Sequence, residues 1–151
     1  SGIAPLLAIQ AIVMPQSGAM NQSEITRTLT TKAAILMQHA SSVQPVFLFL
    51  QGPHGPFFNA LGRMLRTAGC SVWRIGFNAG DQVFWRDKAQ YLPFRGALAD
   101  WKGFFEQTCQ DKNVTDIVLY GDTRPIHAQA VATAQALGLR VHVFEEGYLR
   151  P

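Results

Sequence analysis

Two adjacent carboxylates, Glu145 and Glu146, follow directly on the run Arg140-Val141-His142-Val143-Phe144. Neighbouring acids repel one another and resist desolvation, and Arg150 is close enough in sequence to supply a counter-charge. A carboxylate in that setting suits a nucleophile or an acid/base group; an ordinary solvated loop is the competing reading. Asp122, Arg124 and His127 fall within Gly121-Asp122-Thr123-Arg124-Pro125-Ile126-His127. Asp122 serves either as a helix N-cap or as a ligand contact, while Arg124 and His127 at a positively polarised helix start suit an anion. Gly52-Pro53-His54-Gly55-Pro56 leads into another helix start. There Gly52 and His54 either meet a ligand or only permit a tight turn. Asn78-Ala79-Gly80-Asp81 is followed by Phe84-Trp85-Arg86, Tyr91, Phe94 and Arg95, which read as a platform for a sugar ring or as packing under a long loop. His39 and His142 fall inside a helix and a strand and read as structural.

These residues gain meaning from the elements that must carry them. Val46-Phe47-Leu48-Phe49-Leu50 is a continuous apolar run of strand length, as expected for a parallel strand buried on both faces. A helix is predicted from Pro56 to about Ala68, with Phe57, Leu61, Met64 and Leu65 inward and Gly69 ending it. Strands follow at Ser71–Phe77, Asp116–Tyr120 and Arg140–Phe144, and helices at Asp100–Lys112 and from Pro125 to Leu137. The segment from Gln82 to Gly96 is aromatic and irregular and takes no assignment. Alternating strands and helices predict a parallel sheet with helices on both faces, a Rossmann-like α/β lobe over residues 46–151. All four core strands then end on one edge, and each ends in Gly plus polar residues. Ligands of open parallel sheets bind beyond the carboxyl ends of the strands, so that edge is the working edge.

The first 45 residues differ. Ser23–Ala40 is predicted as a helix with Ile25, Leu29, Ala33, Leu36 and Met37 as its stripe, making residues 1–45 a helical N-terminal extension. The apolar stretch Ile3–Met14 is shorter than the roughly 20 residues a bilayer span needs, and it lacks the basic flank of a secretory signal. The chain begins Ser1-Gly2 and stops at Leu149-Arg150-Pro151, within a motif, so further residues are expected downstream.

Composition bounds the rest. The 151 residues are 48% hydrophobic and 15% charged with a formal net charge of +3, enough for one domain with a core and unlike a disordered chain. Nine of the thirteen basic residues are arginines, spread without a run, so nucleic acid is not an expected partner. Arginine does suit the carboxylate and phosphate of an acidic sugar nucleotide. Cys70 and Cys109 read as small buried hydrophobes, implying no disulfide framework and a cytoplasmic setting. No G-x-S-x-G, C-x-x-C, H-E-x-x-H, P-loop or dinucleotide pattern occurs, which speaks against hydrolase, redox and metal chemistry.

The stretches Phe47–Phe58, Phe77-Asn78-Ala79-Gly80-Asp81 with Phe84-Trp85, Tyr120–His127 and Val143–Pro151 occur in an order that resembles the capsule polysaccharide biosynthesis/export family, in its lipid-linker type. The resemblance covers about Val46 to Pro151. It implies a retaining β-transferase of 3-deoxy-D-manno-octulosonic acid (Kdo) that uses CMP-Kdo and no cofactor. The acceptor would be a phosphatidylglycerol-type lipid, at the cytoplasmic face of the inner membrane of Gram-negative bacteria, alongside capsule assembly proteins. Related transferases have two Rossmann-like lobes in a GT-B-like arrangement and work by double displacement. Matching their acidic pair before Gly-aromatic-Leu-Arg puts the nucleophile at Glu146, with Glu145 beside it, although relatives often carry Asp at the second position. The lobe that binds most of the CMP would lie outside this chain, leaving this piece inactive alone. A non-catalytic scaffold lobe in capsule export, or an unrelated phosphate-binding domain, are the alternatives.

Overall fold

The computed structural model describes residues 9–15, 22–38, 44–50, 57–78, 85, 88–121 and 124–147, with backbone alone at 9, 10, 14, 15, 22, 146 and 147. Six strands form one sheet: β1 (Ile9–Pro15), β2 (Val46–Phe49), β3 (Ser71–Gly76), β4 (Tyr91–Pro93), β5 (Asp116–Tyr120) and β6 (Arg140–Gly147). Their order is β1-β6-β5-β2-β3-β4 and every pairing is parallel. Four helices accompany them: α1 (Gln22–Gln38), α2 (Phe57–Thr67), α3 (Leu98–Asp111) and α4 (Pro125–Ala136).

Alternation along the strands sorts the core into two layers. Phe47 and Phe49 of β2, Val72 of β3 and Val118 of β5 meet Leu29 and Leu36 of α1 and Phe58, Leu61 and Leu65 of α2. Leu48 and Leu50, Ile75, Ile117 and Leu119 face Trp101 and Phe105 of α3 and Ala130 and Ala134 of α4. The four residues Phe47 to Leu50 are fully buried, as a strand covered on both faces requires. Connections moving toward β4 lie on the α1/α2 face and those moving back toward β6 on the α3/α4 face, the arrangement right-handed crossovers demand. The β3–β4 connection has no α-helix among the described residues. Trp85, buried on the α2 face against Phe49, occupies that space. A side chain at Gly62 of α2 would meet the Trp85 ring, so the absence of a Cβ there lets the indole lie against the helix.

Three boundaries differ from expectation. The described part of residues 1–45, expected to be a helical extension, holds α1 but also β1, which pairs with β6 from Ile9↔Val141 to Pro15↔Gly147 and joins the sheet. The unassigned stretch contains a 3-10 turn at Lys88–Gln90 and then β4, a short edge strand on β3. Pro93 is tolerated because an edge strand leaves one row of N–H groups unused. Third, β6 runs on through Glu145 and Glu146 instead of stopping at Phe144.

Candidate functional site at the carboxyl edge

Chain direction and strand order together place the carboxyl ends of all six strands on one rim. The order reverses between β2, whose connection runs to β3, and β5, whose connection runs to β6, so the switch point at which open sheets of this kind bind ligands falls at those two ends. Leu50 still donates its N–H to the Val118 carbonyl at 2.9 Å, keeping β2 and β5 zipped up to that point.

On the β5 side, Gly121 turns the chain out of the sheet with φ +71, a left-handed conformation that L side chains rarely adopt. Both of its polar backbone groups are held: the N–H donates to the Phe144 carbonyl of β6 at 2.9 Å, and the carbonyl pairs with His127 Nδ1 at 2.8 Å. The N-cap of α4 is Arg124, in extended conformation, and Pro125 opens the helix. The cap therefore does not fall on Asp122, contrary to that reading, and Arg124 makes no side-chain cap hydrogen bond. Its side chain is exposed. Trp101, buried on α3, donates its indole N–H to the Ile126 carbonyl at 2.9 Å and stacks edge-on against Phe77, at the end of β3. The first turn of α4 is thus tied to two strands and a helix.

His127 differs from expectation. It is 1% exposed and spends Nδ1 on the Gly121 carbonyl, so it stands behind the turn rather than on the rim surface. On β6, Glu145 is exposed and sits opposite Val13 of β1; Glu146 occupies the next register position, opposite Met14. The two acids therefore belong to a paired strand, not to a loop beyond one. Asn78 is exposed just after β3. Gly52, His54, Asp81, Asp122 and Arg150 lie outside the described residues. Of the sequence-predicted rim groups, the structure brings Asn78, Arg124, Glu145 and the Glu146 backbone to the same edge.

Of the expected aromatic platform, Trp85, Tyr91 and Phe94 are packed into or against the core, while Phe84 and Arg86 lie outside the described residues. Trp85 lies on the α1/α2 face, whereas Phe94 lies on the α3/α4 face against Trp101 and Phe104, so the two cannot form one surface. Arg74 of β3 belongs to none of the motifs in the sequence. It is buried, with its guanidinium over the rings of Phe58 and Trp85, and Arg66 lies over Trp85 as well. Its signal was an arginine at an inward position of an otherwise apolar strand.

A second buried polar group lies at the opposite ends of the strands. Asp116 is fully buried; its carboxylate accepts from Thr115 Oγ1 at 2.6 Å and Arg140 at 2.9 Å and pairs with His142 Nε2 at 2.7 Å. His142, read as structural, is fully buried there. A groove of about 410 Å³ between α3 and α4, bordered by Lys102, Glu106, Gln129 and Thr133, also lies away from the rim. Among the described residues no group of His, Cys, Asp or Glu could hold a metal ion, and no helix is long and apolar enough to cross a membrane.

The described residues form an open doubly wound, Rossmann-like α/β fold whose strands all end on one rim. Its fold is similar to a solved structure of CobK precorrin-6A reductase, with a TM-score of 0.50 and 10% identity over all of this chain and 51% of that one. The family model "Capsule polysaccharide biosynthesis protein" matches residues 115–151, from the start of β5 through the acidic pair. The chain is 37% identical over 105 residues to the capsule polysaccharide export protein KpsS of Escherichia coli, covering 70% of this chain and 27% of that protein. It is 35% identical over 105 residues to the capsule polysaccharide modification protein LipB of Neisseria meningitidis serogroup A, covering 69% and 25%. The family model and both relatives support a kinship of this chain with the capsule polysaccharide biosynthesis and export family. It spans about a quarter of the length of these curated relatives.

Proposed function

We propose that this chain is one lobe of a capsule glycosyltransferase that moves Kdo from CMP-Kdo to a lipid acceptor, and that its rim handles the reacting sugar. The observation that carries the reading is the coincidence of the family match at residues 115–151 with the β5–α4 turn and the Glu145–Glu146 end of β6 on one edge. In the proposed reaction the Glu146 carboxylate attacks the anomeric carbon of Kdo as the bond to the CMP phosphate oxygen breaks, and CMP departs with that electron pair. An acceptor hydroxyl, most simply on a phosphatidylglycerol-type headgroup, then displaces the carboxylate and gives up its proton to a base. Arg124 and the N-terminus of α4 supply positive potential for the acidic sugar or its phosphate.

The test is transfer by the longer protein supplied with CMP-Kdo and phosphatidylglycerol. Glu146→Gln is expected to reduce turnover on the order of 10³-fold or more, as nucleophile deletions do, while leaving the folded state intact. Near-normal turnover would remove Glu146 from the reaction. A scaffold role in export is favoured by one observation, the word "export" in the name of the E. coli relative. It predicts no CMP-Kdo turnover by the longer protein under any acceptor condition.

A further inference from the structure

We infer that His127 is a positioning residue, which fixes the Gly121 turn and through it the spacing between the α4 N-terminus and the acidic end of β6. It is 1% exposed, so it is poorly placed to meet a sugar, yet it stands three residues after Arg124 and bonds back across the turn to Gly121. A carbonyl only accepts, so Nδ1 must carry the proton. The same glycine donates its N–H to the Phe144 carbonyl, the residue directly before Glu145. One imidazole thus reaches, through a single residue, from the helix start to β6.

Energetically the link matters because Gly121 holds a backbone conformation open to few alternatives in the sheet but to many in a free loop, glycine being the least restricted residue. Pinning its carbonyl removes that freedom. The indole bond from Trp101 to the Ile126 carbonyl pins the other side of His127, so the helix start cannot follow if the imidazole is lost. In the reaction proposed above, on which the catalytic consequence rests, the Gly121 turn that joins the Arg124 helix start to β6 would then lose its fixed conformation.

The test compares His127→Leu with His127→Asn, since the Asn amide N–H can stand near the Nδ1 position and donate to the same carbonyl. On this chain, backbone amide exchange should show Gly121 losing about tenfold protection in the Leu variant, with β2 and β3 amides unchanged, and recovering in the Asn variant. On the longer protein, transfer from CMP-Kdo should fall chiefly in kcat for Leu, with KM for the donor little changed, and be restored by Asn. A histidine that contacts the donor would instead raise KM and fail in both variants, which overturns the proposal, as does unchanged Gly121 exchange in the Leu variant. Should the Leu variant unfold, the Asn variant decides alone: native exchange at Gly121 supports the link and lost protection overturns it. If exchange behaves as expected but the unmodified longer protein transfers nothing, the glycosyltransferase reading fails and the positioning role stands.

Discussion

Asp116 offers a direct measure of what holds β5 to β6 below the rim. Replacing it by Ala leaves His142, fully buried, and Arg140, 16% exposed, without the carboxylate both now use. Removing one partner of a buried pair costs about 3–5 kcal/mol, because the surviving charge or polar group stays desolvated. Partial exposure of Arg140 lets water recover some of its share, so the lower half of that range is expected. For a domain of this size each kcal/mol shifts Tm by about 2–4 °C, giving a drop of roughly 6–16 °C. Asp116→Asn keeps the volume and one acceptor for Thr115 and Arg140, and its amide can donate to His142, so it should lose about 1–2 kcal/mol. Urea titration and thermal unfolding of the three proteins check the order Asp, Asn, Ala. A loss below about 1 kcal/mol for Ala, or equal losses for Asn and Ala, would refute the view that the carboxylate holds this junction together.

Other consequences are as direct. Gly76→Ala would drive a Cβ into the Tyr91 hydroxyl, so it should cost about 1–3 kcal/mol, and far less in a Tyr91→Ala background, by urea titration. Gly121→Ala meets no neighbour but is strained at its positive φ, and should cost about 1–2 kcal/mol without any repacking partner able to relieve it. Burial, with Glu106 adding to it, pushes the Cys109 thiol up to about 12 from an ordinary 9.0. The folded state therefore holds that proton longer than the unfolded one, so stability should be full below pH 9 and fall as pH rises toward about 12; Cys109→Ala should flatten that slope. Lys32 donates to the Val13 carbonyl of edge strand β1 at 2.7 Å, and Lys32→Ala should raise self-association in light scattering by uncovering that edge.

What the sequence made legible follows from how each element buries itself. Phe47 to Leu50 could hardly be anything but a central parallel strand, and Pro125 and Gly138 bracket α4 unambiguously. Ile9–Pro15 carries no comparable mark, because its strand character depends on a partner far away in the chain. Tyr91-Leu92-Pro93 hides because three residues ending in proline look like a turn until an edge position excuses the missing N–H. Glu145 and Glu146 read as a loop since acids seldom continue a buried strand. Here pairing with an edge strand leaves Glu145 in water, so the ladder extends at little cost. At the candidate site, residue types pointed to the carboxyl rim, but whether His127 faces solvent or a carbonyl depends on helix orientation, which spacing does not encode.

The pairing of β1 with β6 has a consequence for how the molecule is made. Its members lie about 130 residues apart, so β1 must wait for all the strands between them to be made before it finds its neighbour. Closing so long a loop is slow, though its entropic cost grows only logarithmically with length. Until then Val13 and its flanking backbone hydrogen-bond to water instead of to β6. Pairing of β1 only after residues 140–147 have emerged is the order of events this topology imposes.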